Sequence, residues 1–215
     1  MTEQQPFEVT TEIDAPIVTV WRALTVPAIV HEWFGYDYDG LDAEIQAIFA
    51  AGPQLTEPTK MEFDDGSSIQ LAADGPRTIV RAVLPGSLTD AQWEDLYDDI
   101  AEGWRTFLEQ LRFLLETRPS GQRRTLYLTG KASGAQVAGL VSGKPWYSGR
   151  RQRHCVEPQG HLLALAVDQD LAGTEIGSVN LLITTFGLED AAFEQLRDPW
   201  VRRWTETVQS AEVQP

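Results

Sequence analysis

The sequence predicts an α+β protein in which an antiparallel sheet is wrapped on a long C-terminal helix, followed by a second, degenerate copy of the same unit. Three observations support this prediction. The first half alternates between strand-like and helix-like segments and ends in a long amphipathic stretch. The second half repeats part of that stretch about one hundred residues later. The chain of 215 residues, 42% of them hydrophobic, is long and apolar enough to form packed cores.

The periodicity of the apolar residues defines the elements of the first half. Residues 7–14 alternate between apolar and polar side chains and predict a strand, which ends at Pro16 because proline cannot donate a backbone hydrogen bond to a neighbouring strand. The helical spacing of Val20 and Leu24 predicts a first short helix, and residues 28–33 predict a second. Further strands are predicted at residues 43–49, 60–64, 68–72 and 78–84.

A long helix is predicted to close the first half. Thr89 lies three residues before Gln92, which is the spacing of a capping box at the start of a helix. Apolar residues then recur at steps of three and four, namely Trp93, Leu96, Ile100, Trp104, Phe107, Leu108, Leu111 and Leu115. Gly103 interrupts the pattern at a cost of about 1 kcal/mol relative to alanine. It therefore predicts a close backbone approach or a kink.

The end of the chain repeats the pattern of this helix. Residues 190–196 match residues 90–96 without a gap, and Trp204 corresponds to Trp104. Self-similarity at a fixed spacing indicates a repeated structural unit. The second copy is expected to be reduced, with a glycine-rich segment in place of the short helices and a terminal helix broken at Pro199. Its strands are predicted at residues 125–130, 146–156, 161–168 and 178–185.

Charge divides the chain near the same boundary. Residues 1–120 contain 7 Lys and Arg against 22 Asp and Glu, a net charge of −15, whereas the remaining residues contain 10 of each and are neutral. The change coincides with a linker-like run around Pro119. We therefore assign residues 1–118 to a complete first unit and residues 119–215 to the reduced second unit.

The composition also excludes several classes of partner and site. An acidic chain is a poor ligand for nucleic acid or for an anionic membrane, because both require clustered Lys and Arg. A single cysteine excludes an internal disulfide framework and a multi-thiolate metal site, and we expect neither a metal nor a cofactor. The N-terminus is polar, and no run reaches the roughly 18 apolar residues of a membrane helix. We therefore expect a cytoplasmic protein.

Four short motifs resemble those of one known group of proteins. A strand ends at Asp14-Ala15-Pro16 and is followed by Val20-Trp21-Arg22-Ala23-Leu24-Thr25 and by Trp33-Phe34. The long helix carries Gly103-Trp104-Arg105-Thr106-Phe107-Leu108. Together these motifs resemble the SRPBCC (START-like, helix-grip) superfamily, and within it the branch named after the C-terminal domain of the activator of the Hsp90 ATPase. The resemblance covers residues 7–117 well and residues 124–210 weakly.

The resemblance implies a seven-stranded antiparallel sheet that grips the long helix, with an apolar cavity between the two. Some members of the superfamily bind lipids, hormones or polyketides, and some catalyse cyclisation or hydroxylation with added domains. The eukaryotic namesake stimulates a chaperone with the help of a separate N-terminal domain. This sequence contains no counterpart of that domain, so the chaperone activity is not carried over. A fold of this kind does not by itself define an activity.

Aromatic and apolar side chains of the first unit are the candidates for lining such a cavity. They are Trp33, Phe34, Phe63, Trp93, Trp104, Leu108 and Leu111. Aromatic rings supply large apolar contacts with little loss of rotamer freedom, and concave apolar sites are the usual binding sites for small molecules. Plain core packing is the competing interpretation. We favour core packing for Trp21, Trp33 and Phe107, whereas for Trp104 the two interpretations are balanced.

The titratable residues give no catalytic signature. His31 could face the mouth of the cavity, although an exposed helix residue is the simpler interpretation. His154 and Cys155 are adjacent on a predicted strand, so their side chains should point to opposite faces and cannot pair. The acidic run at residues 37–44 lacks the glycine and glutamate of a calcium-binding loop. The basic run at residues 149–154 fits a charged strand edge, an anion site or a docking surface.

These observations favour noncatalytic binding of a small apolar molecule in the cavity of the first unit. A protein-interaction or chaperone-associated module is the first alternative, and an enzyme of the cyclase or hydrolase type is the second. A protein partner and a homodimer both stay open, because the acidic unit and the basic strand could match within the chain or between two chains. We expect neither nucleic acid nor a membrane as a partner.

Overall fold

The computed structural model describes residues 7–84 and 91–214, and for Phe7 and residues 91–99 it describes the backbone only. The chain divides into two compact units. Unit 1 contains the residues up to Gly35 and Asp39–Arg118, and unit 2 contains Tyr36–Tyr38 together with the residues from Pro119 onward. Each unit combines an antiparallel sheet with a long helix, which confirms the predicted α+β class.

Unit 1 follows the order strand, short helices, strands and long helix. Its helices are α1 (Ile17–Thr25), α2 (Pro27–Val30), α3 (Leu41–Ile45), which continues into a π-helical segment at Gln46–Ala51, and α4 (Ala91–Thr117). Its strands are β1 (Phe7–Ile13), β2 (Gln54–Thr56), β3 (Lys60–Glu62), β4 (Ser68–Asp74) and β5 (Arg77–Leu84). The strands form one antiparallel sheet in the order β1-β5-β4-β3-β2. The described part of unit 1 thus has five strands instead of the seven that the resemblance implies.

The prediction of a strand at residues 43–49 is wrong, because this segment is helical. Leu41, Ile45 and Phe49 are buried at steps of four residues, which is the spacing of one helix face. Asp42 and Glu44 lie in the first turn of α3, where acidic side chains are favoured by the helix dipole. The helical segment therefore directs Phe49 into the apolar core of unit 1.

Unit 2 repeats the order of elements seen in unit 1. Its strands are β6 (Arg123–Ser133), β7 (Lys144–Ser148), β8 (Gln152–Val156), β9 (Leu162–Val167), β10 (Ile176–Phe186) and β11 (Gln209–Gln214). Its helices are α5 (Gly134–Val137) and α6 (Asp190–Thr207). The sheet is antiparallel in the order β11-β6-β10-β9-β8-β7. Unit 2 therefore shares with unit 1 the order strand, short helix, strands and long helix, and it has one short helix before its hairpins and a further strand, β11, after its long helix.

The terminal helix of unit 2 is continuous, so the predicted break at Pro199 is wrong. Proline inside a helix removes one hydrogen bond and typically costs about 3 kcal/mol. Phe193 precedes Pro199, and Trp200 and Trp204 follow it, and all three rings are buried in the same core. Trp204 also donates a hydrogen bond from Nε1 to the Thr129 carbonyl at 3.0 Å. Tertiary packing on both sides of the proline outweighs the local cost.

A three-residue segment, Tyr36–Tyr38, belongs to unit 2 although its neighbours in sequence belong to unit 1. The Asp37 amide donates to Thr125 Oγ1 at 2.7 Å, and the Thr125 amide donates to Asp37 Oδ2 at 2.8 Å. The Tyr36 ring stacks on the Tyr127 ring, with centroids 4.4 Å apart and planes inclined by 19°. The segment is thus fixed to β6 by two hydrogen bonds and one stacked pair.

Replacing Asp37 with alanine is expected to weaken unit 2. The change removes the acceptor of the Thr125 amide, and the loss of a hydrogen bond to a charged group costs about 1–3 kcal/mol. Urea denaturation measures the loss in free energy of unfolding, and hydrogen exchange at the Thr125 amide should become faster. Asp39→Ala, a change at an exposed residue, is the matched control. Equal behaviour of the two variants would contradict this account of the segment.

Candidate functional site

A group of aromatic rings lies in the core of unit 1 beside α4. We call Trp33, Phe34, Phe49, Trp104 and Phe107 the aromatic cluster. Phe34 connects them, with its centroid 5.8 Å from Trp33, 4.9 Å from Phe49 and 4.7 Å from Phe107. Phe107 in turn lies 6.1 Å from Trp104 in an edge-to-face arrangement. The rings thus form a continuous series from the interior of the unit to α4.

The inner part of this series is structural. Trp33 is 0% exposed and donates from Nε1 to the Ala23 carbonyl at 2.8 Å, so its polar atom is satisfied within the protein. Leu108 and Leu111 are also fully buried in the core of unit 1. These three candidate residues have no surface left for a ligand in this conformation. Phe34 is nearly buried and connects them to the outer rings.

The outer part is half-buried. Trp104, Phe107 and Phe63 are partly exposed and pack against the buried core. Phe107, for which core packing seemed the better interpretation from sequence, therefore lies at the edge of the core. The remaining candidate, Trp93, has a side chain outside the described part of the chain. The structure thus brings Trp104 together with Phe34 through Phe107, and it places Phe63 against the same core.

Gly103 leaves open space on the surface of α4 near Phe107. Within the described part of the chain, a Cβ atom built on Gly103 meets no other atom within 4 Å, apart from its own helix backbone and chain neighbours. The expectation of a close backbone approach is therefore wrong, and α4 runs through Gly103 without interruption. Phe107 stands one helical turn after Gly103 on the same side of the helix, so the missing side chain leaves the helix surface beside Phe107 open.

One side of α4 is charged and binds the outer edge of β1. Arg105 Nη1 donates to the Thr10 carbonyl at 2.5 Å and to Thr11 Oγ1 at 3.0 Å. The Asp14 amide donates to Glu116 Oε1 at 3.0 Å. An unpaired strand edge is a liability, and these side chains occupy the hydrogen-bonding positions that a neighbouring strand would take. This charged side of α4 therefore has a structural role.

Glu109 is the buried member of this charged side. The residue is 2% exposed. The Thr11 hydroxyl donates to one oxygen of its carboxylate at 3.3 Å, and Arg112 Nη1 donates to the other at 3.3 Å. Burial raises the pKa of Glu109, while the charges of Arg112 and Arg105 and the Thr11 hydrogen bond oppose that rise. The net shift is upward from the ordinary value.

The raised pKa of Glu109 predicts a specific pH dependence of stability. Because the pKa of Glu109 is raised in the folded state, its favourable contribution to the free energy of unfolding is fully present below the unfolded pKa. This contribution is lost as the pH rises through the folded pKa. Glu109→Gln cannot titrate. The free energy of unfolding of this variant, minus that of the unmodified protein, should therefore become more positive as the pH is raised from about 4 to about 7. Urea denaturation at several pH values measures this difference, and a constant difference would contradict the assignment.

The opposite side of α4 carries aromatic rings. Phe107 contacts Phe34 there, and Gln110 Nε2 donates to the Gly35 carbonyl at 3.4 Å. Gln110 is buried as well. Among the side chains that the structure describes, the polar groups on this side are thus an amide and a backbone carbonyl that bond to each other and carry no formal charge.

The remaining titratable candidates lie in other surroundings. His31 Nε2 is 3.6 Å from Asp42 Oδ1 on the surface of unit 1. Cys155 is buried in the apolar core of unit 2, whereas the ring of His154 lies 5.4 Å from that of Tyr147, as expected for opposite faces of a strand. Within residues 7–84 and 91–214, no group of three His, Cys, Asp or Glu is arranged to hold a metal ion.

The basic run of unit 2 has local partners. Arg153 Nη1 donates to the Ala138 carbonyl at 3.0 Å, and Arg150 lies 3.4 Å from Asp170 Oδ2.

None of the helices described here has both the length and the apolar character needed to cross a bilayer. These observations leave the aromatic side of α4 as the best candidate site.

Comparison with known proteins gives similarity in structure alone. No family model matches the chain, and no curated protein matches it. Among solved structures, the Aha1 dimer from Colwellia psychrerythraea is 17% identical, covers 53% of this chain and 97% of its own, and has a TM-score of 0.38. DynU16, a protein from the dynemicin biosynthetic locus, is 15% identical, with coverages of 94% and 96% and a TM-score of 0.36. The di-domain ARO/CYC BexL from the BE-7585A biosynthetic pathway is 10% identical, with coverages of 95% and 96% and a TM-score of 0.35.

The fold itself is the one that the sequence motifs suggested. Each unit has an antiparallel sheet whose inner face packs on a long helix, and short helices follow the first strand. The predicted α+β arrangement, an antiparallel sheet packed on a long helix, is therefore confirmed.

Proposed function

We propose that unit 1 binds a small apolar molecule on the aromatic side of α4, without catalysis. The observation that carries this proposal is the row of half-buried rings beside an open helix position. Trp104 and Phe107 are partly exposed, and Gly103 leaves the helix surface open one turn before Phe107. A small molecule seated there would cover the outer rings and complete the core.

The energetics favour such a ligand. Covering apolar surface contributes about 25 cal/mol per Å², and aromatic pairs add about 0.5–1.5 kcal/mol each when they stack or meet edge to face. Trp104 and Phe107 already meet edge to face, and Phe34 continues the series inward. The buried ring of Trp33 holds Phe34 from behind, so the site is supported by rigid side chains.

The polar chemistry on this side supports binding without catalysis. Glu109 has a raised pKa, but its carboxylate faces β1, where it accepts from Thr11 and Arg112. A catalytic site requires titratable groups that converge on a reacting atom. The polar groups described on the aromatic side, Gln110 and the Gly35 carbonyl, are neutral and bond to each other, so neither is a candidate acid or base.

Trp104→Ala tests the site directly. The neutral probe N-phenylnaphthylamine becomes fluorescent in apolar surroundings, and the variant should bind it about tenfold more weakly, equivalent to about 1.4 kcal/mol. Trp146→Ala is the matched control, since Trp146 is a half-buried tryptophan in β7 of unit 2. Both variants must keep the native circular dichroism. Equal loss of affinity in the two variants would contradict the placement of the site beside α4.

A further inference from the structure

We propose that the ligand of unit 1 is an apolar molecule that carries no negative charge, an inference that rests on the proposed function. Such a site would accept neutral or cationic aromatic compounds and reject carboxylates, sulfonates and phosphates of similar size. Unit 1 directs its described cations away from this site.

The cations of α4 are directed away from the aromatic side. Arg105 binds the Thr10 carbonyl and Thr11 Oγ1 of β1. Arg112 Nε donates to Glu116 at 3.0 Å, and its Nη1 lies 3.3 Å from Glu109. Both guanidinium groups are therefore engaged on the charged side of α4, Arg105 with β1 and Arg112 with two glutamates of the same helix.

Two further cations of unit 1 are paired within the sheet. Lys60 Nζ lies 2.8 Å from Glu62 Oε2. Arg77 pairs with Glu12 and, at 3.3 Å, with Asp74. The acidic residues outnumber the basic ones by 15 over residues 1–120, so the potential around unit 1 is negative.

The described groups on the aromatic side carry no charge. Phe107 is half-buried at its outer edge, and behind it the Gln110 amide is bonded to the Gly35 carbonyl. A carboxylate moved into apolar surroundings without a cationic partner carries a large desolvation cost. A cation near ring faces is instead attracted by the quadrupoles of the rings. The site therefore discriminates by charge as well as by apolar character.

Two probes that share one ring system isolate the effect of charge. N-phenylnaphthylamine is neutral, and anilinonaphthalenesulfonate adds a single negative charge. The full-length protein should bind the neutral probe at least about tenfold more tightly at about 20 mM salt, and the gap should narrow at about 300 mM salt because screening weakens the repulsion. Equal affinity for the two probes would overturn the inference and leave the proposed function intact. Binding of neither probe would overturn the proposed function and the inference together.

A pair of variants at Ile100 tests the same inference by adding a charge without filling the space at Gly103. Ile100 is an exposed residue of α4 and stands one helical turn before Trp104. Ile100→Lys places an ammonium group near the rings, and Ile100→Gln places a neutral polar side chain there as the control. The affinity for the sulfonate, relative to that for the neutral probe, should be about tenfold higher in the lysine variant than in the glutamine variant at low salt. An unchanged ratio would show that charge near the rings does not govern selection.

Discussion

Trp33→Ala is expected to lower the free energy of unfolding of unit 1 by about 3–5 kcal/mol, the usual cost of removing a fully buried large aromatic side chain. Trp33 is fully buried, contacts Phe34 and Phe49 edge to face, and satisfies the Ala23 carbonyl. The substitution removes these contacts and leaves a cavity behind the ligand-facing ring of Phe34. Urea denaturation monitored by circular dichroism measures the loss.

Two further variants separate the parts of this effect. Trp33→Phe keeps an aromatic ring and loses the hydrogen bond to Ala23, so its cost should be smaller than that of Trp33→Ala. Trp104→Ala removes a tryptophan of the same unit that is only half-buried, and it should also cost less than Trp33→Ala. A loss at Trp33 no greater than the loss at Trp104 would contradict the division into an inner structural part and an outer binding part.

Gly103→Leu is expected to abolish most binding of N-phenylnaphthylamine while the protein stays folded. The leucine side chain would occupy the open space beside Trp104 and Phe107, and so exclude the ligand. Replacing a glycine inside a helix should also raise the free energy of unfolding by up to about 1 kcal/mol. Affinity and stability are therefore predicted to change in opposite directions, which unfolding of the site could not produce.

Gly103→Ala is the control for this experiment. Its methyl group gives the same gain in helix stability but fills little of the space, so the probe should bind with less than about a threefold change in affinity. Thermal or urea denaturation measures the stability of both variants, and fluorescence titration measures their affinity. A leucine variant that binds the probe as tightly as the alanine variant would contradict the placement of the ligand.

The sequence predicted the helices and the strands of unit 1 wherever one periodicity dominated. The apolar steps in α1 and α4 identify their buried faces, and the alternation in β1 and β5 matches their pairing. The segment at residues 43–49 was assigned to a strand, but it is helical. Only the steps of four residues between Leu41, Ile45 and Phe49 distinguish a helix from a strand there. The same spacing, if it is extended back to Leu41, would have identified the helix.

In unit 2 the sequence missed two features that depend on tertiary contacts. Strand β11 is a short polar segment whose pairing with β6 decides its conformation. Helix α6 continues through Pro199 because the rings around it are buried in one core. Local propensity does not contain either contact, so neither feature could be derived from a single sequence.

The candidate site was predictable in part. The stripe on α4 and the Trp33-Phe34 pair supplied side chains that the structure places in one series of rings. Burial then divides the candidates into core residues and half-buried residues. The full burial of Trp33, Leu108 and Leu111 depends on the packing of the whole unit, which the sequence does not contain. Phe107 was assigned to the core and lies at its edge, and the open space at Gly103 became visible only in three dimensions.

The most direct test of the account follows the tryptophan indole signals during a titration with N-phenylnaphthylamine. The chain has seven tryptophans, and proton–nitrogen correlation NMR resolves one indole N–H signal for each when they lie in different surroundings. Trp104→Phe assigns the signal of Trp104 by its disappearance. The account predicts a saturable shift of the Trp104 signal, with the signals of Trp200 and Trp204 in the core of unit 2 unchanged. An unshifted Trp104 signal at saturating probe, or shifts confined to Trp200 and Trp204, would contradict it.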